Sequence, residues 1–190
     1  MSIRGRETEK NLLKAFAGES QARNRYEFFA KTAKKEGHII ISRLFQETAE
    51  QEKAHAKRFF RLLEGGSCEI RASYPAGKIG TTAENLLESA TGEKEEWSVL
   101  YPEFAKIAES EKLPEAAAAF KVIAVAEKFH EKRFRVLLSY LESGKLYETE
   151  KETEWVCLKC GYIHKGKKAP KLCAACLHPT GYFIRSDWQI

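Results

Sequence analysis

An internal repeat constrains the fold more than any other feature of this sequence. Residues 52–63 read EKAHAKRFFRLL and residues 127–138 read EKFHEKRFRVLL, an offset of 75 residues. Upstream, Gly18-Glu19 matches Gly92-Glu93 at nearly the same offset. The repeat therefore predicts two similar helical hairpins related by approximate two-fold symmetry. The glycine-rich segment 65–80, which also contains a proline, is the predicted crossover between them.

Four long segments have apolar residues at spacings of three and four, the period of an amphipathic helix. The third opens with a capping box, Thr81-x-x-Glu84, and contains Pro102, which is expected to bend it. Its predicted buried stripe includes Leu100, Phe104 and Ile107. The acidic residues comprise 26 Glu and one Asp, and Glu is the better helix former. The predicted helices run from Glu7 to Glu36, from near His38 to Gly65, from Thr81 through Ile107, and from Pro114 to just before Gly144.

Each predicted buried face is interrupted midway by Glu or His. A buried carboxylate costs several kcal/mol unless it is neutralised, paired or bound to a metal. Residues three apart share one helical face, so each Glu-x-x-His can present one oxygen and one nitrogen to the bundle centre. One such pair is common by chance and usually solvated, but two copies in register favour a metal site. The residues concerned are Glu19, Glu52, His55, Glu93, Glu127 and His130.

One further carboxylate breaks the symmetry of the repeat. Glu96 lies three residues after Glu93, whereas its counterpart in the first half is Ala22. We hypothesise that this extra oxygen makes one metal site redox-adaptable, with Glu96 and His55 alternating as ligands; the alternative is a solvated helix residue. Carboxylate-rich ligation with one imidazole per metal suits iron or manganese. This arrangement is typical of ferritin-like di-iron carboxylate proteins.

Two tyrosines lie close to the predicted ligands on the same helical faces. A buried phenol needs a hydrogen-bond partner, and a metal-bound carboxylate is the obvious acceptor for Tyr26 and for Tyr101. The alternative is that both rings are packing residues whose hydroxyls reach backbone carbonyls.

The last part of the chain holds four cysteines in two Cys-x-x-Cys pairs. Paired knuckles of this kind indicate a tetrahedral metal site, with Gly161 permitting the tight turn after the first pair. The tail alone does not distinguish an iron centre from a structural zinc ribbon. An iron–sulfur centre beside a di-metal carboxylate site would favour an electron relay. The predicted ligands are Cys157, Cys160, Cys173 and Cys176, and the predicted small core around them is Trp155, Tyr162, Phe183 and Trp188.

Charge and hydropathy narrow the choice of environment and partners. The formal net charge is +5, concentrated in the tail, which is weak support for nucleic-acid binding and fits better with an acidic protein partner or plain solubility. No apolar run approaches the roughly 20 residues that a bilayer crossing needs. The first residues lack the apolar core of a secretory signal. We therefore expect a cytoplasmic protein that binds neither nucleic acid nor membranes.

Taken together, these motifs resemble the rubrerythrin family over nearly the whole chain. The residues that carry the resemblance are GESQARNRY at 18–26, EKAH at 52–55, GEKEE at 92–96, LYPEF at 100–104, AEKFHEKRF at 126–134 and the cysteine pairs at 157–176. The family combines a ferritin-like four-helix di-iron domain with a rubredoxin-like Fe(Cys)4 domain. The resemblance thus implies a mainly α fold with a long crossover, domains at 1–146 and 147–190, and reduction of hydrogen peroxide to water in oxidative-stress defence.

The resemblance also implies a role for each site residue. Two irons would be held by Glu19, Glu52, His55, Glu93, Glu96, Glu127 and His130. Glu52 and Glu127 would bridge them, and His55 and Glu96 would be the exchanging ligands. The four cysteines would hold a single iron, or zinc in recombinant material. Ala174 departs from the family, whose knuckles often have proline there, which leaves the potential of that iron less certain.

The resemblance further implies partners. Electrons would come from a redox protein such as a rubredoxin and its NAD(P)H-dependent reductase. His130 lies eleven residues before Leu141, roughly 16 Å along the helix, so the tail begins far from its own di-iron centre. We therefore expect a homodimer in which the tail of one chain lies beside the bundle of the other. The alternative functions are a ferroxidase, an iron-storage protein and a zinc-ribbon interaction module without turnover.

Overall fold

The N-terminal part of the protein is a four-helix bundle. A computed structural model describes residues 2–188, so positions 1 and 190, the outer ends of the two predicted domains, lie outside the described residues. A five-residue π-helical segment, Glu96–Leu100, joins the third and fourth helices directly, so that the two form one side of the bundle. The predicted ferritin-like bundle is confirmed. Its helices are α1 Glu7–Lys35, α2 Ile39–Phe60, α3 Thr82–Glu95, α4 Tyr101–Ser110 and α5 Pro114–Glu142.

The bundle core consists of two apolar layers with a polar level between them. On α1, Leu12 belongs to one layer and Tyr26 to the other, and Glu19 lies between them. On α5, Phe120 and Phe134 occupy the two layers in the same way. The apolar layers hold the helices together through the hydrophobic effect. They also enclose the level at which the predicted carboxylates lie.

The third helical segment differs from its prediction after Glu96. The predicted stripe of Leu100, Phe104 and Ile107 is only half-buried, and the buried residues are Tyr101, Ala105 and Ala108. The Tyr101 N–H bonds the Glu96 carbonyl, five residues back, which is the pattern of a π-helix. The wider turn inserts an extra residue and moves the buried stripe by one position. It also lies immediately before Pro102, which cannot donate a backbone hydrogen bond.

The other helix boundaries agree with the predictions, with one exception. Both hydrogen bonds of the Thr81–Glu84 capping box are present, because each side chain accepts from the backbone N–H of the other residue. Helix α2, however, ends at Phe60 rather than near Gly65. Leu62 and Leu63 continue for one tighter turn, with N–H groups bonded three residues back to Phe59 and Phe60.

The tail folds as a three-stranded antiparallel sheet in which the first strand lies between the second and the third. Trp155 and Phe183 are fully buried in its small core, as predicted. The predictions for Tyr162 and Trp188 were wrong. Tyr162 is exposed, and Trp188 packs on Tyr140 of α5, with ring centroids 5.0 Å apart, because the bundle offers it a larger apolar surface. The strands are β1 Glu148–Cys157, β2 Ile163–Lys168 and β3 Phe183–Arg185.

The tail packs on the end of its own bundle where α1 passes into α2. Gly181 lies against the backbone of Gly37 so closely that any side chain at Gly181 would collide with the Gly37 carbonyl. Arg43 donates a hydrogen bond from Nη2 to the Leu158 carbonyl at 2.8 Å. Arg43 precedes Glu52 by nine residues, or roughly 14 Å along α2. Within residues 2–188, no helix is long and apolar enough to cross a membrane.

Candidate metal centres

The structure brings six of the seven predicted carboxylate and histidine residues together at the centre of the bundle. They form two overlapping groups, and within each group one ligand atom per residue lies within 4.8 Å of the others. Glu52 and Glu127 belong to both groups, as residues that bridge two ions would. The first group is Glu19, Glu52, His55 and Glu127, and the second is Glu52, Glu93, Glu127 and His130.

Each histidine directs Nδ1 towards the carboxylates. His130 Nδ1 lies 2.7 Å from Glu127 Oε2 and 3.1 Å from Glu52 Oε1. His55 Nδ1 lies 2.8 Å from Glu127 Oε1 and 3.0 Å from Glu52 Oε2. The two rings are stacked with centroids 5.8 Å apart. The approximate two-fold symmetry seen in the sequence is therefore present in the ligand atoms.

The unsatisfied atoms of the cluster test whether metal ions fit there. Fully buried oxygens of Glu19, Glu52, Glu93 and Glu127, and Nδ1 of His130, lack a hydrogen-bond partner among the described residues. His130 Nδ1 and Glu127 Oε2 are close but not in hydrogen-bond geometry. Unpaired buried polar atoms are costly, and atoms that converge without bonding each other are arranged as ligands of a shared cation are. The donor set, mostly oxygen with one imidazole per ion, fits iron or manganese.

The electrostatics of the cluster agree with this interpretation. Burial, followed by repulsion from neighbouring carboxylates, raises the pKa of Glu19 and Glu93 well above the ordinary value. For Glu52, burial is outweighed by the nearby ring nitrogens of His130 and His55, which lower its pKa to about 2. For His55, contacts with Glu127 and Glu52 outweigh burial and raise the pKa to about 10. So many carboxylates at one buried level need positive charge beside them.

Glu96 is the predicted ligand that lies outside both groups. It is half-buried in the π-helical segment, and Glu96 Oε1 lies 4.0 Å from where a side chain on Gly18 would begin. Burial and the charges of Glu93 and Glu127 raise its pKa well above the ordinary value. Glu96 is thus placed beside α1 near Glu19 and the His55 group. In this structure His55, and not Glu96, faces the carboxylates.

Both predicted tyrosines bond carboxylates of the cluster. Tyr26 donates its hydroxyl hydrogen bond to Glu93 Oε1, and Tyr101 donates to Glu19 Oε1. Each bond joins the two halves of the repeat, because α1 supplies Tyr26 and Glu19 while the third helical segment supplies Glu93 and Tyr101. Both rings are buried. The phenols therefore fix the orientation of the two terminal carboxylates.

Three residues of the cluster's surroundings were not predicted from the sequence. His130 Nε2 lies 3.0 Å from Gln51 Oε1, and the Gln51 amide donates to Glu47 Oε1 at 3.2 Å. Arg133, whose side chain is 5% exposed, forms an ion pair with the same Glu47 oxygen at 3.0 Å. A signal was available in the sequence, because Gln51 and Glu47 lie beside the repeated motif at positions where the second half has Ala126 and Val122.

A cavity of about 380 Å³ leads to the cluster from the crossover segment. Its wall includes Gly18, Gly92, Glu96 and Tyr101, so it reaches residues that contact the metal ligands. Tyr74 of the crossover closes one side and donates its hydroxyl hydrogen bond to the Lys14 carbonyl at 2.8 Å. Of the two symmetry-related glycines, Gly18 is the one at which a side chain would meet Tyr74 and Glu96 in this passage.

The four predicted cysteines form the second candidate metal centre. Their sulfur atoms lie within 4.8 Å of one another, and no disulfide joins them in the part of the chain that the structure describes. Cys157 and Cys173 are buried, while Cys160 is exposed. Burial of Cys173 is outweighed by the N–H groups of Cys176 and Ala175, which lower its pKa to about 7. Thiolates in this arrangement suit either iron or zinc.

The two knuckles share one backbone conformation at equivalent points but have different residues there. Gly161 has φ +78° and bonds the Cys157 carbonyl, as predicted for the tight turn. Leu177 has φ +58° and bonds the Cys173 carbonyl in the same way. A left-handed conformation is uncommon for leucine, so the second knuckle is held by its surroundings rather than by residue preference.

Comparisons with known proteins agree with this geometry. The family model "Rubrerythrin" matches residues 10–138, and the model "Rubrerythrin, rubredoxin-like domain" matches residues 155–184. A rubrerythrin of Porphyromonas gingivalis is 59% identical, covering 96% of this chain and 91% of that protein. Rubrerythrin-1 of Clostridium acetobutylicum is 55% identical, covering 96% of this chain and 95% of the relative. The solved structure of fully reduced, all-ferrous nigerythrin superimposes with a TM-score of 0.65 at 29% identity, covering 97% of this chain and 91% of that one.

Proposed function

The chain belongs to the rubrerythrin family, and on that premise we propose that it is a non-haem di-iron peroxidase that reduces hydrogen peroxide to water. The family is generally one of metal-dependent oxidoreductases. In the proposed reaction, two electrons and two protons convert one peroxide molecule into two molecules of water. The carboxylate and histidine cluster would hold the metal pair that supplies these electrons, and the four cysteines would hold the metal that replaces them.

The observation that carries the proposal is the presence of two different metal centres in one chain. The bundle centre holds unpaired, buried donor atoms of four carboxylates and two histidines. Iron bound there would supply two electrons and polarise the O–O bond. The cysteine centre would supply one electron at a time without rearranging its ligands. A storage protein or a structural zinc ribbon has no need of both centres.

The surrounding residues would keep the reaction dry and supply fixed hydrogen bonds. The two apolar layers, one containing Phe120 and the other Phe134, exclude bulk water from the level of the cluster. Tyr26 and Tyr101 hold the outer carboxylates, Glu93 and Glu19, by hydrogen bonds from their hydroxyl groups. Because these groups are buried and already oriented, little reorganisation is needed when charge develops during the reaction.

The cavity beside Gly18 supports a small substrate. Its passage to Glu96 is lined by two glycines and closed on one side by Tyr74. Hydrogen peroxide is small enough for such a route. We propose that Glu96, the carboxylate nearest this passage, exchanges with His55 as a ligand between redox states. Structures of the oxidised and reduced protein would test the exchange, and identical coordination in both would refute it.

The proposed electron relay also implies assembly and an external donor. The tail lies at the far end of its own bundle, whereas short distances favour electron transfer. We therefore propose a homodimer with tail-to-bundle contact between chains. The proposed electron donor is a redox protein such as a rubredoxin with its NAD(P)H-dependent reductase. Sedimentation analysis should give a dimer, and a fully active monomer would contradict this part of the proposal.

Steady-state consumption of peroxide tests the proposed function against its alternatives. We expect peroxide to disappear continuously when a reduced electron donor is supplied, with no accumulation of iron beyond about three atoms per chain. A ferroxidase would instead consume oxygen and Fe(II). A storage protein would accumulate iron without turnover. The control is the same protein after exchange of the four-cysteine metal for zinc, which should stop electron relay.

A further inference from the structure

The two histidines of the bundle centre are held differently, although the repeat makes them equivalent. The His130 side chain is 3% exposed and that of His55 is 16% exposed. His130 has Nδ1 at the carboxylates and Nε2 against Gln51 Oε1 at 3.0 Å. A metal-binding Nδ1 carries no proton, so the ring proton lies on Nε2 and is donated to Gln51.

Gln51 is itself fixed in orientation. Its amide nitrogen donates to Glu47 Oε1 at 3.2 Å, which leaves the amide oxygen directed at His130. Glu47, whose side chain is 52% exposed, forms an ion pair with the buried Arg133, with Oε1 lying 3.0 Å from Nη2. A continuous polar chain therefore runs from the metal ligand His130 through Gln51 and Glu47 to the buried cation of Arg133.

Nothing equivalent can form at His55. The repeat offset of 75 residues places Ala126 where the first half has Gln51, and Val122 where it has Glu47. Neither side chain has a polar atom. Arg58, the counterpart of Arg133, forms an exposed ion pair with Glu115 at 3.3 Å instead. All three members of the polar chain are thus missing or redirected on the His55 side.

We propose that Gln51, held by Glu47 and Arg133, is a positioning residue that fixes His130, and that its absence from the His55 side leaves His55 free to move. The inference rests on the proposed function and deepens it, because it gives a structural reason why His55, and not His130, is the exchanging histidine. It depends on the di-metal site, but not on peroxide being the substrate.

Proton exchange in the cobalt-substituted protein tests this proposal without measuring activity. Histidine N–H protons near Co²⁺ are shifted out of the main ¹H NMR spectrum, and their exchange with water can be timed. In the unaltered protein we expect one N–H, from His130, to exchange at least about tenfold more slowly than the other. Gln51→Leu should abolish this difference and weaken Co²⁺ binding at one of the two positions by about tenfold or more.

The repeat provides a reciprocal variant and a control. The double variant Val122→Glu/Ala126→Gln, in which Gln51 remains, should slow exchange of the second N–H and keep His55 as a ligand in both redox states. Gln51→Glu retains an acceptor and should restore slow exchange at His130. Gln46→Leu removes an exposed amide from the same helix and should change neither signal.

The outcomes separate this proposal from the proposed function. Equal exchange rates for the two histidines in the unaltered protein, with Co²⁺ bound at both positions, would overturn the proposal alone. A His130 N–H proton that still exchanges slowly with water in Gln51→Leu would also overturn it. Failure of the bundle to bind Co²⁺ at all would overturn both this proposal and the proposed function. Should Gln51→Leu fail to fold, the double variant still decides the matter, because unchanged exchange at His55 would contradict the proposal.

Discussion

The bundle centre and the cysteine centre show two ways of holding a metal in one chain. Glu19, Glu52, Glu93 and Glu127 are at most 1% exposed and lie between two apolar layers. Cys160, by contrast, lies at the surface of a small domain. The first arrangement limits access to molecules that fit a narrow passage. The second lets another protein approach a sulfur ligand directly. In the proposed function, this difference would reserve the buried centre for a small substrate and the exposed one for electron exchange.

Loss of Glu127 should have the largest effect and remove the bundle centre alone. Glu127 contacts both histidines and belongs to both ligand groups. Glu127→Ala should reduce iron content from about three atoms per chain to about one, with peroxide turnover falling by about a thousandfold or more. Elemental analysis and steady-state assays measure the two effects. Glu142→Ala, exposed on the same helix, is the control, and retention of both bundle irons in Glu127→Ala would contradict the assignment.

Loss of Cys160 should separate the two centres functionally. Cys160→Ser should remove the four-cysteine iron spectrum and slow donor-dependent turnover by about a hundredfold, because that centre relays the electrons. Pre-reduced protein should still react once with peroxide at its ordinary rate. Cys68→Ser changes a cysteine outside both centres and should leave both measurements unchanged. Normal donor-dependent turnover in a variant that lacks the cysteine-bound iron would show that this iron does not relay the electrons.

The tyrosines should contribute less than either set of ligands. Tyr101→Phe leaves Glu19 without its hydroxyl donor, which should lower the free energy of unfolding by about 1–3 kcal/mol. Turnover should fall by about tenfold as the carboxylate loses its fixed orientation. Thermal unfolding and peroxide assays measure the effects. Tyr162→Phe, at an exposed ring of the tail, is the control, and equal stability of the two variants would show that the Tyr101 bond is dispensable.

The glycine pair of the cavity should give the smallest and most selective effect. An alanine methyl at Gly18 would meet Tyr74 at 3.7 Å and Glu96 at 4.0 Å, whereas one at Gly92 meets nothing within 4 Å. Gly18→Ala should therefore lower kcat/KM for peroxide severalfold, and more for a bulkier organic hydroperoxide, while Gly92→Ala does not. Both changes should raise Tm, because alanine favours a helix interior over glycine. An unchanged kcat/KM in Gly18→Ala would exclude this cavity as the route.

The sequence was sufficient to predict the parts of the structure that depend on periodicity and residue chemistry. Glu52 with His55, and Glu127 with His130, could be placed on buried faces because helical spacing fixes direction. The cysteine ligands followed from the spacing of their pairs. The two phenol–carboxylate bonds followed from the need of a buried hydroxyl for an acceptor.

Other features depend on tertiary context that a single sequence does not specify. The π-helical turn at Glu96 shifts Tyr101 into the core, and a regular helical period gives no sign of it. Trp188 packs on the bundle because that surface is available only after the domains meet. The Gln51 contact depends on α2 and α5 lying side by side. Its trace in the sequence is a difference between the halves of the repeat, whereas the prediction of the metal site rests on what the halves share.

Stoichiometric reoxidation by peroxide tests the central claim most directly. The protein is fully reduced under anoxic conditions, one equivalent of hydrogen peroxide per chain is added, and visible and near-ultraviolet absorbance follows both centres. We expect rapid oxidation with two electrons consumed per peroxide and all bundle iron retained. The absorbance of both reduced centres should recover completely when donor is supplied. Absorbance at the bundle centre that stays at its reduced level, or iron released into solution on oxidation, would contradict the assignment of this buried cluster as a peroxide-reducing metal pair.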